Sequence, residues 1–454
     1  MANQKTSDAA ILKKLAQLAN QNDPINPDLY AKYDVKRGLR NSNGTGVLVG
    51  LTHIGDVVGY KIEDGNKIPV PGRLIYRGYD VEDLIADSEK NNQFGFEQCI
   101  YLLLFGQLPN QKQLESFNNF LGSCRVLPEN FTEDMIMKAP SDDIMNKVAR
   151  GVLASYSYDD NSEDRSVGNI VRQCIELIAR FSTLAAYGYQ AKRRYYDGKS
   201  MFIHNPKPEL STAENFLRLI RADKKYTRLE AEILDLALIL HAEHGGGNNS
   251  SLTVHVVSSA DTDTYSAIAA AVGSLKGRRH GGANIRVVEM MDDIKSNIKD
   301  WKNEDEVRAY LRKIVKKEAF DKSGLIYGMG HAIYTISDPR EVLLKNKARA
   351  LAVEKNCLDE FDLYDMIERI SPSVIAEVHG SEKQICANVD FYSGFVYTML
   401  NIPRELFTPI FAISRIAGWS AHRIEEVVSG GRIYRPAYKN ILEERDFIPL
   451  LDRK

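Results

Sequence analysis

Five cysteines in 454 residues, with no C-x-x-C pair among them, leave little for a disulfide framework or a cysteine-ligated zinc site. Their odd count (Cys99, Cys124, Cys174, Cys357 and Cys386) fits a reducing cytoplasm instead. Long apolar runs are missing too. The most apolar helical stretch, Ile233 to Leu240, falls far short of the roughly 20 residues that span a bilayer. Neither sign of charge dominates: 59 Lys and Arg stand against 61 Asp and Glu, a net −2. No global field therefore exists for wrapping nucleic acid or an anionic membrane, and an anionic ligand must be met by local clusters. The opening residues Met-Ala-Asn-Gln-Lys-Thr-Ser lack the charged-then-apolar pattern of a secretory signal. No repeat of 20 to 50 residues is evident, which argues against a solenoid. What remains is ordinary globular composition, 44% hydrophobic and 26% charged, in a chain long enough for about three domains, or for one large fold with a subordinate lobe.

Hydrophobic periodicity sets the architecture. Ser7 to Gln21 places Ile11, Leu12, Leu15 and Leu18 on one helical face. Val47 to Tyr76 is rich in Val, Ile, Tyr and Gly, with a turn signal at Asp64-Gly65-Asn66, and predicts a small strand region. Asp80 is placed as a helix N-cap, with Asp83 at the capping-box position and Val81, Leu84 and Ile85 following. Helical segments then dominate: Phe96 to Phe105 ending at Gly106, Arg228 to His241, Tyr265 to Leu275, Glu304 to Ala319, Pro339 to Glu354 and Arg404 to Val428. The expectation is a mainly α fold with a minor β segment near the N-terminus.

Seven of the nine histidines fall between His241 and His422, most of them beside glycine or another small residue. Glycine neighbours let backbone and ligand approach closely. Four segments stand out: His241-Ala242-Glu243-His244-Gly245-Gly246-Gly247-Asn248, Gly277-Arg278-Arg279-His280-Gly281-Gly282-Ala283-Asn284, Gly328-Met329-Gly330-His331-Ala332, and Asn388-Val389-Asp390-Phe391-Tyr392-Ser393. Each also has a purely structural reading. His241 and His244 suit a helix C-terminus, His280 a solvated basic terminus, His331 a loop, and Asp390 the cap of a helix from Phe391 to Leu400. His241 and His244 share a helix face and so admit a zinc hydrolase reading, but they lack the H-E-x-x-H arrangement and an evident third ligand. Gly245-Gly246-Gly247 has no following Lys-Ser/Thr and no preceding strand, so it is not a P-loop. Arg340, Arg415 and Arg435 complete the set, because the guanidinium fork binds carboxylates bidentately and suits a compact polycarboxylate.

Taken in order, these segments resemble the citrate synthase family. The likeness starts at Pro71-Gly72-Arg73-Leu74-Ile75-Tyr76-Arg77-Gly78-Tyr79. It is carried on by HAEHGGGN, GRRHGGAN, GMGHAIYTISDPR, NVDFYSG and the tail from SRIAGW to YRP. The resemblance implies a two-domain helical fold, with residues 1–281 and 401–454 in a large domain and 282–400 in a small one that closes over substrates. It implies condensation of acetyl-CoA with oxaloacetate, or of propionyl-CoA in the 2-methylcitrate synthase alternative. His280 would hydrogen-bond the thioester oxygen, Asp390 would take a proton from the acetyl methyl, and His331 would polarise the ketone. His244, Arg340, Arg415 and Arg435 would hold oxaloacetate, with Arg435 reaching across the two-fold of a homodimer or higher homo-oligomer. No metal or other cofactor is implied, acetyl-CoA being a substrate. Many bacterial members carry basic residues where this chain has Ala332 and Thr335; Lys345, Lys347 or Arg349 could substitute at the CoA phosphates. Many also carry Glu at the position of Gly245.

Overall fold

The computed structural model describes residues 2–41, 44–64, 66–380 and 384–453, with the backbone alone for residues 2–7. The chain forms two compact units, Met1–Leu51 and Thr52–Lys454. The first contains the helix Ala2–Asn22, a short helix Asp28–Lys32 and a single 3₁₀ turn, Arg37–Leu39. The apolar face predicted for its long helix is there, but Ile11, Leu12, Leu15 and Leu18 are all exposed.

The second unit opens with an antiparallel sheet in the order β1 (Gly55–Glu63), β2 (Asn66–Tyr76), β3 (Tyr79–Asp80). Pairing runs from Gly55 with Tyr76 to Glu63 with Asn66, broken by an irregularity between Val58 and Tyr60. The predicted strand region thus begins later than Val47, and the turn at Gly65 lies outside the described residues. Asp80 caps the helix Val81–Lys90 as expected, accepting the Glu82 N–H, while its other oxygen takes Arg73 Nε at 2.9 Å in place of the expected capping box.

Beyond Asp80 the regular elements among the described residues are helices. Phe96–Phe105, Arg228–His241 and Pro339–Glu354 have the predicted bounds, the first ending at Gly106 in the left-handed region (φ 73°). Three helices differ at their ends: Thr264–Lys276, Glu304–Val315 and Phe407–Val428, the last preceded by a 3₁₀ turn, Arg404–Leu406. The helix Phe407–Val428 organises the unit. It is buried without interruption from Phe407 to Arg423, the signature of a helix covered on every side. Packed on it are Phe96–Phe105, Val167–Tyr195, Arg228–His241, Asn249–Ser258 and Thr264–Lys276. Gly418 makes one of these approaches possible: its N–H donates to Ala242 O, and a Cβ there would lie 2.3 Å from Glu243 Oε2. A side chain at Gly418 would push away the segment that carries His244.

Among the described residues, no helix is long and apolar enough to cross a membrane.

Candidate active site

Three short backbone constructions place the chemistry-bearing side chains. The first is the end of the helix Arg228–His241. The buried Tyr76 hydroxyl lies 2.9 Å from Ile239 O and 3.1 Å from Glu243 O, fixing the exit of the chain from the helix. His241 does close this helix: its Nδ1–H donates to Ala237 O at 2.8 Å, and its carbonyl accepts Arg415 Nε–H. His241 Nε2 is left without a hydrogen-bond partner, but among the described residues no third donor joins His241 and His244 in a metal site. His244 instead lies beyond the helix. It is 8% exposed, and its Nε2 has no hydrogen-bond partner.

The second construction ties His331 to Asp390. Gly330 N–H donates to Cys386 O at 2.7 Å, Asn388 N–H donates to Gly328 O at 2.8 Å, and the Asn388 side-chain amide donates to Gly330 O at 2.8 Å. Gly328, at φ 82°, lies where a Cβ would meet Phe391 at 2.7 Å, so glycine is needed for both backbone and space. His331 Nδ1 accepts the N–H groups of Ile333 and Tyr334, both at 3.1 Å, which leaves the ring's proton on Nε2. The same ring stacks on Tyr334 at 4.8 Å and meets His244 edge to face at 5.2 Å.

Asn388, not Asp390, caps the helix Val389–Met399, accepting the Asp390 N–H at 3.0 Å. The purely structural reading of Asp390 therefore fails, because its carboxylate has no capping task. Burial pushes that carboxyl up to about 6, against the opposing pull of Arg340 and Arg415. Arg340 is itself locked by the buried Asp338, which takes its Nε at 3.0 Å and Nη2 at 2.7 Å and also accepts Val389 N–H at 3.3 Å. One carboxylate thus fixes Arg340 against the turn that bears Asp390.

The third construction surrounds His280. Trp419 Nε1–H donates to Ser250 Oγ at 3.0 Å, and that hydroxyl lies 3.0 Å from both His280 Nε2 and Asn248 Oδ1. Burial, reinforced by Arg415, lowers His280 to about 4, so the imidazole is neutral at physiological pH. His244 is pushed down as well, by burial first and then by Arg340, His331 and Arg415.

Arg415 is fully buried over the Phe411 ring at 4.7 Å, with both terminal nitrogens unpaired, and burial lowers it to about 10. Two buried N–H₂ groups without acceptors are costly unless a ligand meets them. The electrostatic influences link Arg340, Arg415, His244, His280 and Asp390 into one site. Arg435 is not brought to it: it lies exposed in the tail beyond Val428. Sequence reasoning missed Ser250, Trp419, Asp338 and Asn388, the residues that orient the others. For Asp338, the Asp-Pro pair before a helix was an available signal.

A family profile described as "Citrate synthase, C-terminal domain" matches residues 42–437. The chain belongs to the citrate synthase family. Among similar members, the citrate synthase of Haloferax volcanii is 32% identical over 92% of this chain and 99% of its own. The 2-methylcitrate synthase of Shewanella oneidensis is 33% identical over 84% of this chain and 92% of its own. The fold agrees with that of the Thermoplasma acidophilum citrate synthase, solved in ternary complex with carboxymethyl coenzyme A and oxaloacetate. That comparison gives a TM-score of 0.76 at 27% identity and covers 92% of this chain and 99% of the other. The expected mainly α, citrate-synthase-like fold with a small N-terminal sheet is therefore borne out.

Proposed function

We propose that this citrate synthase family member condenses acetyl-CoA with oxaloacetate and water to citrate and CoA. The observation that carries the reading is a half-buried carboxyl at Asp390, raised to about 6 and freed from capping, sharing one electrostatic environment with neutral His280 and His244 and buried Arg340 and Arg415. Asp390 takes a proton from the acetyl methyl, a task that needs a base titrating near the working pH. The thioester oxygen gains charge and accepts a hydrogen bond from His280. When Ser250 turns its single proton from Asn248 Oδ1 to Nε2 of His280, the imidazole's own N–H stands on Nδ1 for that purpose. Such a donor contributes about 10²–10³ in rate. The enolic carbon attacks the oxaloacetate ketone while His331 supplies the Nε2–H to its oxygen. His244, Arg340 and Arg415 hold the substrate's carboxylates and carbonyl. Water then cleaves the citryl thioester, releasing CoA. Side chains supply every proton transfer, so the bond-making steps call for no metal or prosthetic group.

Residues 282–400 form the lobe that closes, carrying His331, Arg340 and Asp390 towards His244, His280 and Arg415. The enzyme works as a cytoplasmic homodimer or higher homo-oligomer, with Arg435 completing the partner's site. Of the three basic residues offered for the CoA phosphates, Lys345 pairs with Asp365 and Glu368, and Lys347 pairs with Glu89. Arg349 is exposed and has no such pairing among the described residues, which favours it for phosphate contact.

The Shewanella oneidensis likeness keeps propionyl-CoA as a second substrate, since one methylene in a pocket is worth only about 1–3 kcal/mol. Comparing kcat/KM for the two acyl-CoAs at saturating oxaloacetate decides between them. A preference for acetyl-CoA is expected, and a preference for propionyl-CoA would overturn the assignment.

A further inference from the structure

Beside the segment that carries His244, four side chains with no part in the proposed chemistry form a continuous line. Glu243 Oε1 lies 3.0 Å from His422 Nε2, His422 Nδ1 lies 3.0 Å from His255 Nε2, and His255 Nδ1 lies 2.7 Å from Glu426 Oε2. Glu243 and His422 are fully buried, and the side chains of His255 and Glu426 are 9% and 11% exposed. Ionised carboxylates at both ends only accept, so three hydrogen bonds need three protons, whereas two neutral imidazoles carry two. With both imidazoles neutral and each N–H given to its carboxylate, the missing proton is the one between the rings. A divalent ion satisfies the same geometry without it. Each imidazole then keeps its N–H for the carboxylate behind it and turns a bare nitrogen towards the ion, the arrangement by which metal-bound histidines are oriented.

A third donor is already in position. The Glu425 side chain is 9% exposed. Its Oε1 accepts the His53 backbone N–H at 2.7 Å, but its Oε2 has no hydrogen-bond partner and lies 3.9 Å from His422 Nδ1. One ligand atom from each of His255, His422 and Glu425 can be drawn within 4.8 Å of the others. Tetrahedral donors on zinc, with bonds of about 2.0–2.1 Å, stand roughly 3.4 Å apart, so the rings part by a few tenths of an ångström and the carboxylate closes by about half an ångström on His422 and by up to about 1.4 Å on His255. Gly246 passes directly over the pair. A Cβ there would stand 3.5 Å from His422 Cε1 and 3.7 Å from His255 Nε2, and its absence leaves the space beside the facing nitrogens clear.

We propose that His255 Nε2, His422 Nδ1 and Glu425 Oε2 form a binding site for a divalent transition ion of zinc's class, with Glu243 and Glu426 holding the two imidazoles from behind. The ion fastens the helix Asn249–Ser258 to the helix Phe407–Val428. Through Glu243 it also steadies the segment leading to His244. It touches no substrate, so its role is structural and independent of which acyl-CoA is used.

The test uses the whole chain, stripped with EDTA and dialysed. Titration with ZnCl₂, followed by metal analysis, should give one Zn²⁺ per chain, and CoCl₂ should give the intense visible bands of a four-coordinate site. Zinc should also raise the thermal midpoint. Glu426→Gln, which leaves all three donors in place, should weaken zinc affinity about 10- to 100-fold. Glu425→Gln should weaken it at least as much, and His255→Gln should abolish stoichiometric binding. If His255→Gln fails to fold, the two glutamate variants, each checked by circular dichroism, carry the test alone. Failure of the wild type to bind one equivalent would overturn the proposal. Affinity unchanged in both glutamate variants would also overturn it, by assigning the ion to surface histidines such as His53.

Discussion

An Asp390 carboxyl at about 6 gives the reaction an acidic limb that His280 and His244, both lowered, do not produce. The base acts only when ionised, so activity is lost as pH falls through that value. A carboxyl at about 6 is about nine-tenths ionised at pH 7 and about one-tenth ionised at pH 5, so kcat/KM for acetyl-CoA should fall about tenfold across that interval. His280, lowered to about 4, stays neutral over the same range. The first influence opposing burial at Asp390 is the positive charge of Arg340, so Arg340→Gln should move the limb to higher pH, read in kcat at saturating oxaloacetate. The same lift has a stability counterpart. A folded-state pKa raised from 3.8 to about 6 means that ionised Asp390 costs the fold about 3 kcal/mol above pH 6, a cost relieved as pH falls and the group takes up its proton. Asp390→Asn should therefore stabilise the protein at pH 7 by up to about 3 kcal/mol, whereas loss of a helix cap would destabilise it by about 1 kcal/mol. The assay is loss of thioester absorbance, which does not depend on thiol ionisation, from pH 5 to 8 at constant ionic strength, with urea denaturation of both proteins alongside. A flat profile, or a less stable Asn variant, would refute the reasoning.

Ser250→Ala should lower kcat about tenfold or more with little change in the KM for oxaloacetate, because it removes the hydroxyl that sets the His280 tautomer and no substrate contact; steady-state kinetics checks this. Exhaustive dialysis against EDTA should leave turnover nearly unchanged while lowering the thermal midpoint, since the proposed ion stands apart from the reacting atoms; assaying the same dialysed sample both ways tests it. His280→Ala and Arg435→Ala should each nearly abolish activity. Mixed in equal amounts under confirmed subunit exchange, they should regain roughly a quarter of wild-type activity, because half the dimers are hybrids with one intact site. Exchange without recovery would place Arg435 in its own chain's site.

Segments with clear punctuation were legible from sequence. Thr227 with Glu230 opens a helix, Gly106 closes one, and Asp338-Pro339 starts another, all at the predicted residues. The 29-residue helix Val167–Tyr195 escapes prediction although Ser166 caps it, because buried polar residues such as Gln173, Ser182 and Thr183 interrupt its apolar pattern. Pattern alone could not separate His241, which closes a helix, from His244, which lies beyond it, since the difference depends on where the helix ends. Nor could spacing distinguish the buried Arg340 and Arg415 from the exposed Arg435, as burial of an arginine is decided by the packing of distant elements. Asp390 admits a capping role in sequence because Asp is a good cap. Asn388, two residues earlier, takes that place in the fold and leaves the carboxylate available for chemistry. The His255–His422 line joins residues 167 apart, and no local motif announces it.

The central claim is that Asp390 is the base in the condensation of acetyl-CoA with oxaloacetate, and the most direct measurement compares kcat for wild-type and Asp390→Asn protein with both substrates saturating and citrate identified as product. The wild type should form one citrate per CoA released, and turnover should fall by about 10² or more in the variant with its fold intact. Near-wild-type turnover by Asp390→Asn, or no citrate from the wild type, would contradict it.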